Sequence, residues 1–426
     1  MPLETDSGDE RLRAKLRIAF QVTFLLMLAT GIPIAAWAQG LDETFVPAVG
    51  LPEAWNGAML AWDYDDDGDP DILLSGLDRN GDPRTWLLRY DGVVTEPVAN
   101  GPDRQKATFT PRSINIPPFL RGTIDHMPPD AQGIERMLFT GLTPLETSTD
   151  IVELIPLSIV YNRIDSTSFA PAAHQPFVGV HESFTAWADV DDDGDEDLVL
   201  GGETLDGPFT ALYINTNGSF SREEGISLPG MGNADASWGD LDGDGDPDLV
   251  LAGQAGATSV FRLYENSGRG LMEISSPESP VLFHARAALR DIDGDGKAEL
   301  LYMGGRLDPL LMRPEGILWN SQSAAGREFG SPAAFPGLAM ARLFWSDLEG
   351  DGDLDLVAAG YDEPASPFGQ RLRIFVNAGG TLVPVEDFRG GIGLGLVWAD
   401  FNDDGRRDIL LIGRQPDAWV RNLILL

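Results

Sequence analysis

Cysteine is absent from this sequence of 426 residues, which excludes disulfides, thiolate metal sites, a cysteine nucleophile and a lipidated cysteine anchor. Lysine is nearly absent too. Only Lys15, Lys106 and Lys297 stand among 30 basic residues, against 67 acidic ones, for a formal net charge of −37. A surface of that sign repels phosphate backbones, so nucleic acid is excluded as a partner, and an anionic membrane surface with it. The acidity fits either growth in high salt or a GC-rich coding sequence. Histidine occurs four times, at His126, His174, His181 and His284, with no shared spacing. No nucleophile elbow, no His-Glu-x-x-His and no phosphate-cradling glycine loop is present.

Long hydrophobic runs are absent beyond the N-terminus. The single run, residues 18–36, follows Arg11, Arg13, Lys15 and Arg17 and ends in Ala36-Trp37-Ala38. Basic flank, apolar stretch and small-residue site read as an export signal cleaved after Ala38. Its length would also just span a bilayer as a retained anchor, but Gly31 and Pro33 late in the run favour cleavage. The expected organisation is a signal peptide at 1–38 and an exported domain at 39–426 that is secreted, on the cell surface or periplasmic, with no further membrane span. The sequence leaves the oligomeric state open.

What the chain does contain is a repeat, the feature to be sought before any other. Trp187 to Gly202 returns as Trp238–Gly253, Trp345–Gly360 and Trp398–Gly413, and less closely as Ala61–Gly76 and Leu289–Gly304. The first acids are Asp63, Asp189, Asp240, Asp291, Asp347 and Asp400, at spacings of 126, 51, 51, 56 and 53. The doubled first gap predicts a hidden repeat, and Arg136-Met-Leu-Phe-Thr-Gly141 supplies its ending within a degenerate unit near 118–176. Its upstream stretch, Asp125–Gly133, has lost the acidic ladder. Within a unit the pattern is all strand: 183–190, 197–202, 209–215 and 220–228, separated by Gly, Asn and Asp turns. Asn162, Asn215, Asn266, Asn320 and Asn377 recur at the end of the third strand. The expected fold is all-β, a seven-bladed β-propeller of four-stranded blades. Residues 41–49 read as an orphan fourth strand that closes the ring onto the last blade, unless 423–426 begin that strand themselves. The recurring tryptophans read as wedges between blades rather than as sugar-stacking platforms.

Each acidic loop carries oxygen ligands at positions one, three, five and nine, with glycine at six. The sets are Asp63, Asp65, Asp67 and Asp71; Asp189, Asp191, Asp193 and Asp197; and Asp240, Asp242, Asp244 and Asp248. The others are Asp291, Asp293, Asp295 and Glu299; Asp347, Glu349, Asp351 and Asp355; and Asp400, Asn402, Asp404 and Asp408. Hard oxygen donors in that number suit calcium, whereas magnesium keeps more water, so about six calcium ions are expected. An EF-hand would need Glu at position twelve; Leu74, Leu200, Leu251, Tyr302, Ala358 and Leu411 stand there. An acidic solvated turn explains one such loop. It does not explain six that all keep the glycine and the ninth acid.

These loops and flanking strands, Asp400 to Gly413 above all, resemble the FG-GAP/VCBS repeats of integrin-α-like propellers, the bacterial VCBS type more closely than true integrin repeats. The resemblance implies calcium loops between the first and second strands of each blade, on one face, with ligands meeting the opposite face. The second repeat, lacking its acids, is expected to hold no ion. The function expected is an exported, calcium-stabilised module for adhesion or for recognition of an extracellular glycan or protein. Arg79, His181, Arg306, Tyr361 and Arg389 are its candidate contacts. A polysaccharide lyase or dehydratase on a similar propeller is the alternative; it needs a base and charge-stabilising groups converging in one pocket, and the scattered histidines do not supply them.

Overall fold

A computed structural model describes residues 44–97, 104–146, 152–268, 270–308, 311–320, 329–362, 370–389, 395–402, 405, 407–414 and 419–425. The expected signal segment lies outside these residues. Every regular element described is a β-strand. The strands form six sheets, the blades of a β-propeller, five with four strands and one with eight.

A complete four-stranded sheet runs His181–Ala188, Asp197–Thr204, Gly207–Thr216 and Ser219–Arg222, each strand antiparallel to the next. Its last strand is much shorter than the sequence suggested. Four more sheets start from Ile124–Met127, Gly232–Gly239, Phe283–Arg290 and Ala339–Ser346. In the eight-stranded sheet the order is Ala54–Trp62, Asp71–Asp78, Pro83–Glu96, Arg104–Arg112, Thr44–Val49, Trp419–Leu425, Asp408–Arg414 and Gly395–Ala399.

Thr44–Val49 is therefore the orphan strand, and it closes the ring. It pairs antiparallel with Trp419–Leu425 (Thr44 opposite Leu425, Pro47 opposite Asn422). Its far end also pairs parallel with Arg104–Arg112, Ala48 opposite Ala107 and Val49 opposite Thr108. That second pairing is why the strands make six sheets where the repeat predicts seven: one strand serves two four-strand groups and fuses them. Residues 423–425 belong to the third strand of the last group, not to its outer one.

The second strand of each repeat is a run of buried apolar residues, as in Leu198, Val199 and Leu200 or Leu249, Val250 and Leu251. Being covered on both faces explains why it does not alternate. The core lies between neighbouring sheets: Val199 and Leu212 pack on Ala234, Trp238 and Leu251, and Val250 and Leu263 on Ala287 and Leu300. Trp238 is buried, and its indole N–H donates to Ala186 O of the preceding sheet at 3.2 Å, the wedge role expected of it.

Candidate metal loops and the axial pocket

The acidic loops join the innermost strand of each repeat to the second, and one hydrogen-bond scheme recurs. The first aspartate folds back on the loop. Asp63 accepts from Asp67 N–H at 3.2 Å and Gly68 N–H at 3.0 Å, and Asp189 accepts from Asp193 N–H at 3.1 Å and Gly194 N–H at 2.9 Å. Asp240, Asp291, Asp347 and Asp400 take the same glycine N–H at 2.8–2.9 Å. The fifth residue accepts from the seventh N–H, as Asp67 does from Asp69 at 3.0 Å and Asp244 from Asp246 at 3.0 Å. This winding puts the sixth residue at positive φ, from +87° at Gly405 to +97° at Gly68 and Gly245. A Cβ on any of these glycines would meet nothing within 4 Å, so the requirement is backbone rotation, not space.

The ninth carboxylate is buried and spans two strands. Asp71 accepts from Tyr64 N–H at 3.3 Å and Tyr90 N–H at 2.7 Å. Asp197 does so from Val190 and Asn215 at 2.9 and 2.7 Å, and Asp248 from Leu241 and Asn266 at 2.7 and 2.8 Å. Asp355 takes Leu348 and Asn377 at 2.6 and 2.8 Å, while Glu299 takes Ile292 N–H at 2.9 Å and Asp408 takes Phe401 N–H at 2.8 Å. Burial pushes these acids up, Asp71, Asp248 and Glu299 to about 7 and Asp197 and Asp355 to about 6, against the pull of the backbone donors.

The third position differs between loops: Asp242 accepts from Asp244 N–H and Asp293 from Asp295 N–H, each at 3.2 Å. Asp65 Oδ1 and Glu349 Oε2 are buried and make no hydrogen bond among the described residues. Burial, then the neighbouring carboxylates, raises Asp65, Asp191 and Asp242 above the usual carboxylate range and Glu349 to about 8. Buried oxygens without donors, ringed by like charges, are the surroundings a bound cation would complete. Carboxylate oxygens lie within 4.8 Å of one another in the sets Asp63, Asp65 and Asp71; Asp189, Asp191 and Asp197; Asp240, Asp242 and Asp248; and Asp291, Asp293 and Asp295. In the fifth repeat it is thus Asp295, not Glu299, that completes the triplet. The loop at Asp347 forms no such triplet among the described residues, and its third position carries the longer Glu349. Asp404 lies outside the described residues. An all-oxygen donor set of this charge fits calcium.

The degenerate repeat places a cationic side chain where the others have an acid. Arg136 stands at the position-nine register, opposite Met127 as Asp71 is opposite Trp62. Its guanidinium donates to Pro128 O at 2.8 and 3.2 Å and to Gly218 O, in the next sheet, at 2.6 Å. It also lies over the Phe220 ring, 5.7 Å from the centroid. Asp125, read from sequence as part of the lapsed loop, lies instead inside the strand Ile124–Met127. There it accepts from the Thr123 hydroxyl at 2.8 Å and, across to the next sheet, from Thr185 at 3.2 Å.

Two of the third-strand asparagines tie repeats together, whereas Asn215 Nδ2 donates within its own repeat, to Glu196 O at 3.1 Å. Asn266 Nδ2 donates to Val190 O at 2.8 Å and Asn377 Nδ2 to Ile292 O at 2.7 Å, each in the preceding repeat's acidic loop. Val190 and Ile292 are the buried second residues of those loops.

A second regularity was not read from the sequence. Asn56, Arg121, Glu182, Asn233, His284 and Met340 have φ between +46° and +59°, and each sits five residues before the repeat's tryptophan position. In five of the six the ladder breaks there, as between Trp55 and Ala58 or His181 and Phe184. Arg121 N–H donates to Asn56 O at 3.2 Å, and Glu182 N–H donates in turn to Arg121 O. The signal available was the small residue that follows: Gly57, Gly122, Ser183, Ala234, Ala285 and Ala341. A Cβ on Gly57 would come 1.7 Å from Ser75 O, and one on Gly122 1.8 Å from Thr140 O.

These turns sit at the starts of the innermost strands, the ends away from the acidic loops, and enclose a cavity of about 120 Å³. Its walls include Asn56, Arg121, Glu182, Asn233, Arg286 and Arg342. A larger groove of about 580 Å³ lies between the Gly232 and Phe283 sheets, against Phe261, Arg262, Glu273 and Tyr302. The sequence-derived contacts are dispersed. His181 is half-buried beside Glu182, Arg79 faces Glu53 at 3.9 Å, Arg306 pairs with Glu315 at 3.3 Å, and Tyr361 Oη accepts from Gln370 at 2.8 Å. Arg389 ends an outer strand.

The FG-GAP-like repeat family matches residues 189–251, 240–302 and 347–411. No curated protein matches the chain significantly in sequence. Among solved structures, a mutant Aleuria aurantia lectin in complex with α-methyl-L-fucoside is similar at 12% identity and a TM-score of 0.39, covering 78% of this chain and 97% of its own. AofleA from Arthrobotrys oligospora aligns at 10% identity and a TM-score of 0.38, over 82% of this chain and 91% of its own. The V. cholerae biofilm matrix protein Bap1 aligns at 11% identity and a TM-score of 0.33, over 90% of each chain. The chain thus carries three FG-GAP-like repeats within a β-propeller of strands.

Proposed function

We propose that the chain is an exported binding module, a propeller held together by calcium whose other face recognises a glycan or protein outside the cytoplasm. The observation that carries this reading is the recurring acidic loop: in four copies carboxylate oxygens lie within 4.8 Å of one another, and Asp65 Oδ1 and Glu349 Oε2 are buried without a donor. Six ions are proposed, held by positions one, three, five and nine of the loops starting at Asp63, Asp189, Asp240, Asp291, Asp347 and Asp400. The position-nine oxygens keep a free lone pair beside each backbone N–H they accept.

The ring is proposed to be seven-fold, the eight-stranded sheet counting as two blades. In support, its two ends pack on each other as separate sheets do, Ile72, Leu74 and Tyr90 against Val397, Phe401 and Ile412. The proposed leader is residues 1–38, with cleavage after Ala38. The test is a screen of the calcium-loaded protein against neutral and acidic glycans, scored for binding and for chain cleavage. Binding without cleavage is expected; cleaved or unsaturated products would replace the binding module with an enzyme.

A further inference from the structure

Neighbouring acidic loops are joined by hydrogen bonds that run from one ninth carboxylate to the next. Val190, the second residue of its loop, is held at both backbone groups. Its N–H donates to Asp197, the ninth carboxylate of the same loop, at 2.9 Å, and its carbonyl accepts from the Asn266 side-chain amide at 2.8 Å. The backbone N–H of Asn266 donates in turn to Asp248, the ninth carboxylate of the following loop, at 2.8 Å. One buried asparagine therefore spans the loops starting at Asp189 and Asp240. The same path recurs between the loops starting at Asp291 and Asp347. Ile292 N–H donates to Glu299 at 2.9 Å, Ile292 O accepts from the Asn377 amide at 2.7 Å, and Asn377 N–H donates to Asp355 at 2.8 Å.

The path stops where the acids stop. Asn215 also gives its backbone N–H to a ninth carboxylate, Asp197 at 2.7 Å, but its amide turns back to Glu196 O, in its own loop. The repeat before it is the degenerate one. Tyr64 O, the second-position carbonyl of the first loop, receives Arg163 of that degenerate repeat instead, and no ninth acid stands behind Arg163.

An ion held by Asp248 fixes the carboxylate that orients Asn266, and Asn266 fixes Val190. Asp189 and Asp191 flank Val190 in the chain, so the placement of that residue sets two ligand positions of the neighbouring loop. Groups that orient ligands from behind tune metal affinity as the ligands themselves do. Filling one loop thus lowers the cost of ordering the other, and the effect is reciprocal. We infer that Asn266 and Asn377 are positioning residues that make calcium binding cooperative between adjacent loops, Asp189 with Asp240 and Asp291 with Asp347. This deepens the calcium reading proposed above and rests on it.

The test is hydrogen exchange of the full chain, resolved by peptide with mass spectrometry as free calcium is raised. The readout is the calcium concentration that half-protects residues 189–197. Asp242→Asn weakens the loop starting at Asp240 and leaves the other loop's residues untouched. It should nevertheless raise the half-protection point of 189–197 by about fivefold or more. In an Asn266→Ala background Asp242→Asn should no longer move that point. Asn215→Ala removes an equally buried asparagine that spans no pair of loops, and the response should survive it, which a merely structural loss would not allow. A half-protection point that ignores Asp242→Asn overturns the inference, as does a full response in Asn266→Ala or its loss in Asn215→Ala. If calcium protects both loops at independent concentrations, the calcium reading stands and the coupling alone falls. If calcium protects neither loop, both fall together.

Discussion

A buried carboxylate stays ionised only where donors or a cation meet its oxygens. The ninth residue meets part of that need, with two backbone N–H groups in the loops of Asp71, Asp197, Asp248 and Asp355, while Asp65 and Glu349 at the third position each keep an oxygen with no donor. The sixth residue contributes differently, through a φ near +90° in open space. Gly245→Ala should therefore cost about 1–2 kcal/mol from backbone strain alone, measurable by denaturant unfolding in saturating calcium; an unchanged midpoint would contradict the loop geometry. Arg136 gives the complementary test. Arg136→Met removes a charged donor from Pro128 O and Gly218 O and should destabilise by about 2–3 kcal/mol, equally with calcium and with chelator. A loss that calcium repairs would mean that this repeat also binds an ion. Both roles differ in legibility. Glycine at position six is written in the sequence because few residues tolerate that φ. Arg136 reads as an ordinary strand residue until the register places it where the other repeats have an acid.

Among the elements, the strand Thr44–Val49 and the buried Asn266 and Asn377 hold neighbouring units together. Asn266 bonds both its own turn, accepting from Gly268 N–H at 3.1 Å, and the preceding loop at Val190 O. Asn266→Ala leaves that carbonyl without its donor and should cost about 1–3 kcal/mol, read as a lower unfolding midpoint; a neutral effect would remove the asparagine from the inter-repeat contact. The closing strand was legible because an alternating segment stood at one end and a strand was missing at the other. The fusion of two groups into one sheet was not, since it depends on two residue pairs, Ala48 with Ala107 and Val49 with Thr108, that carry no sequence mark. The left-handed turns at the axis were equally hidden. Arg121, Glu182 and Met340 are not residues that favour positive φ, and only the small residue following each betrays the tight approach.

For the whole molecule, the acidity has a pH consequence whose sign can be worked out. Asp71, Asp248 and Glu299 titrate near 7 in the fold, and Asp197 and Asp355 near 6, against about 4 in an unfolded chain. Between those values the folded state holds more protons than the unfolded one, so metal-free stability should fall as pH rises from about 5 to 7. Calcium binds the ionised forms and should abolish or reverse that slope. Melting curves across that range in chelator and in calcium would check it, and parallel slopes would count against ion binding at these acids. The loops were legible in the sequence because turns of this kind admit few residue types. The axial arginines were not, because they converge from strands more than 50 residues apart.

The central claim is that the loops staple the ring by binding calcium, and thermal unfolding of the full chain before and after chelation tests it most directly. Chelation is expected to lower the melting temperature sharply, with recovery on adding calcium but not an equal concentration of magnesium. Superimposable melting curves in chelator and in calcium would contradict it.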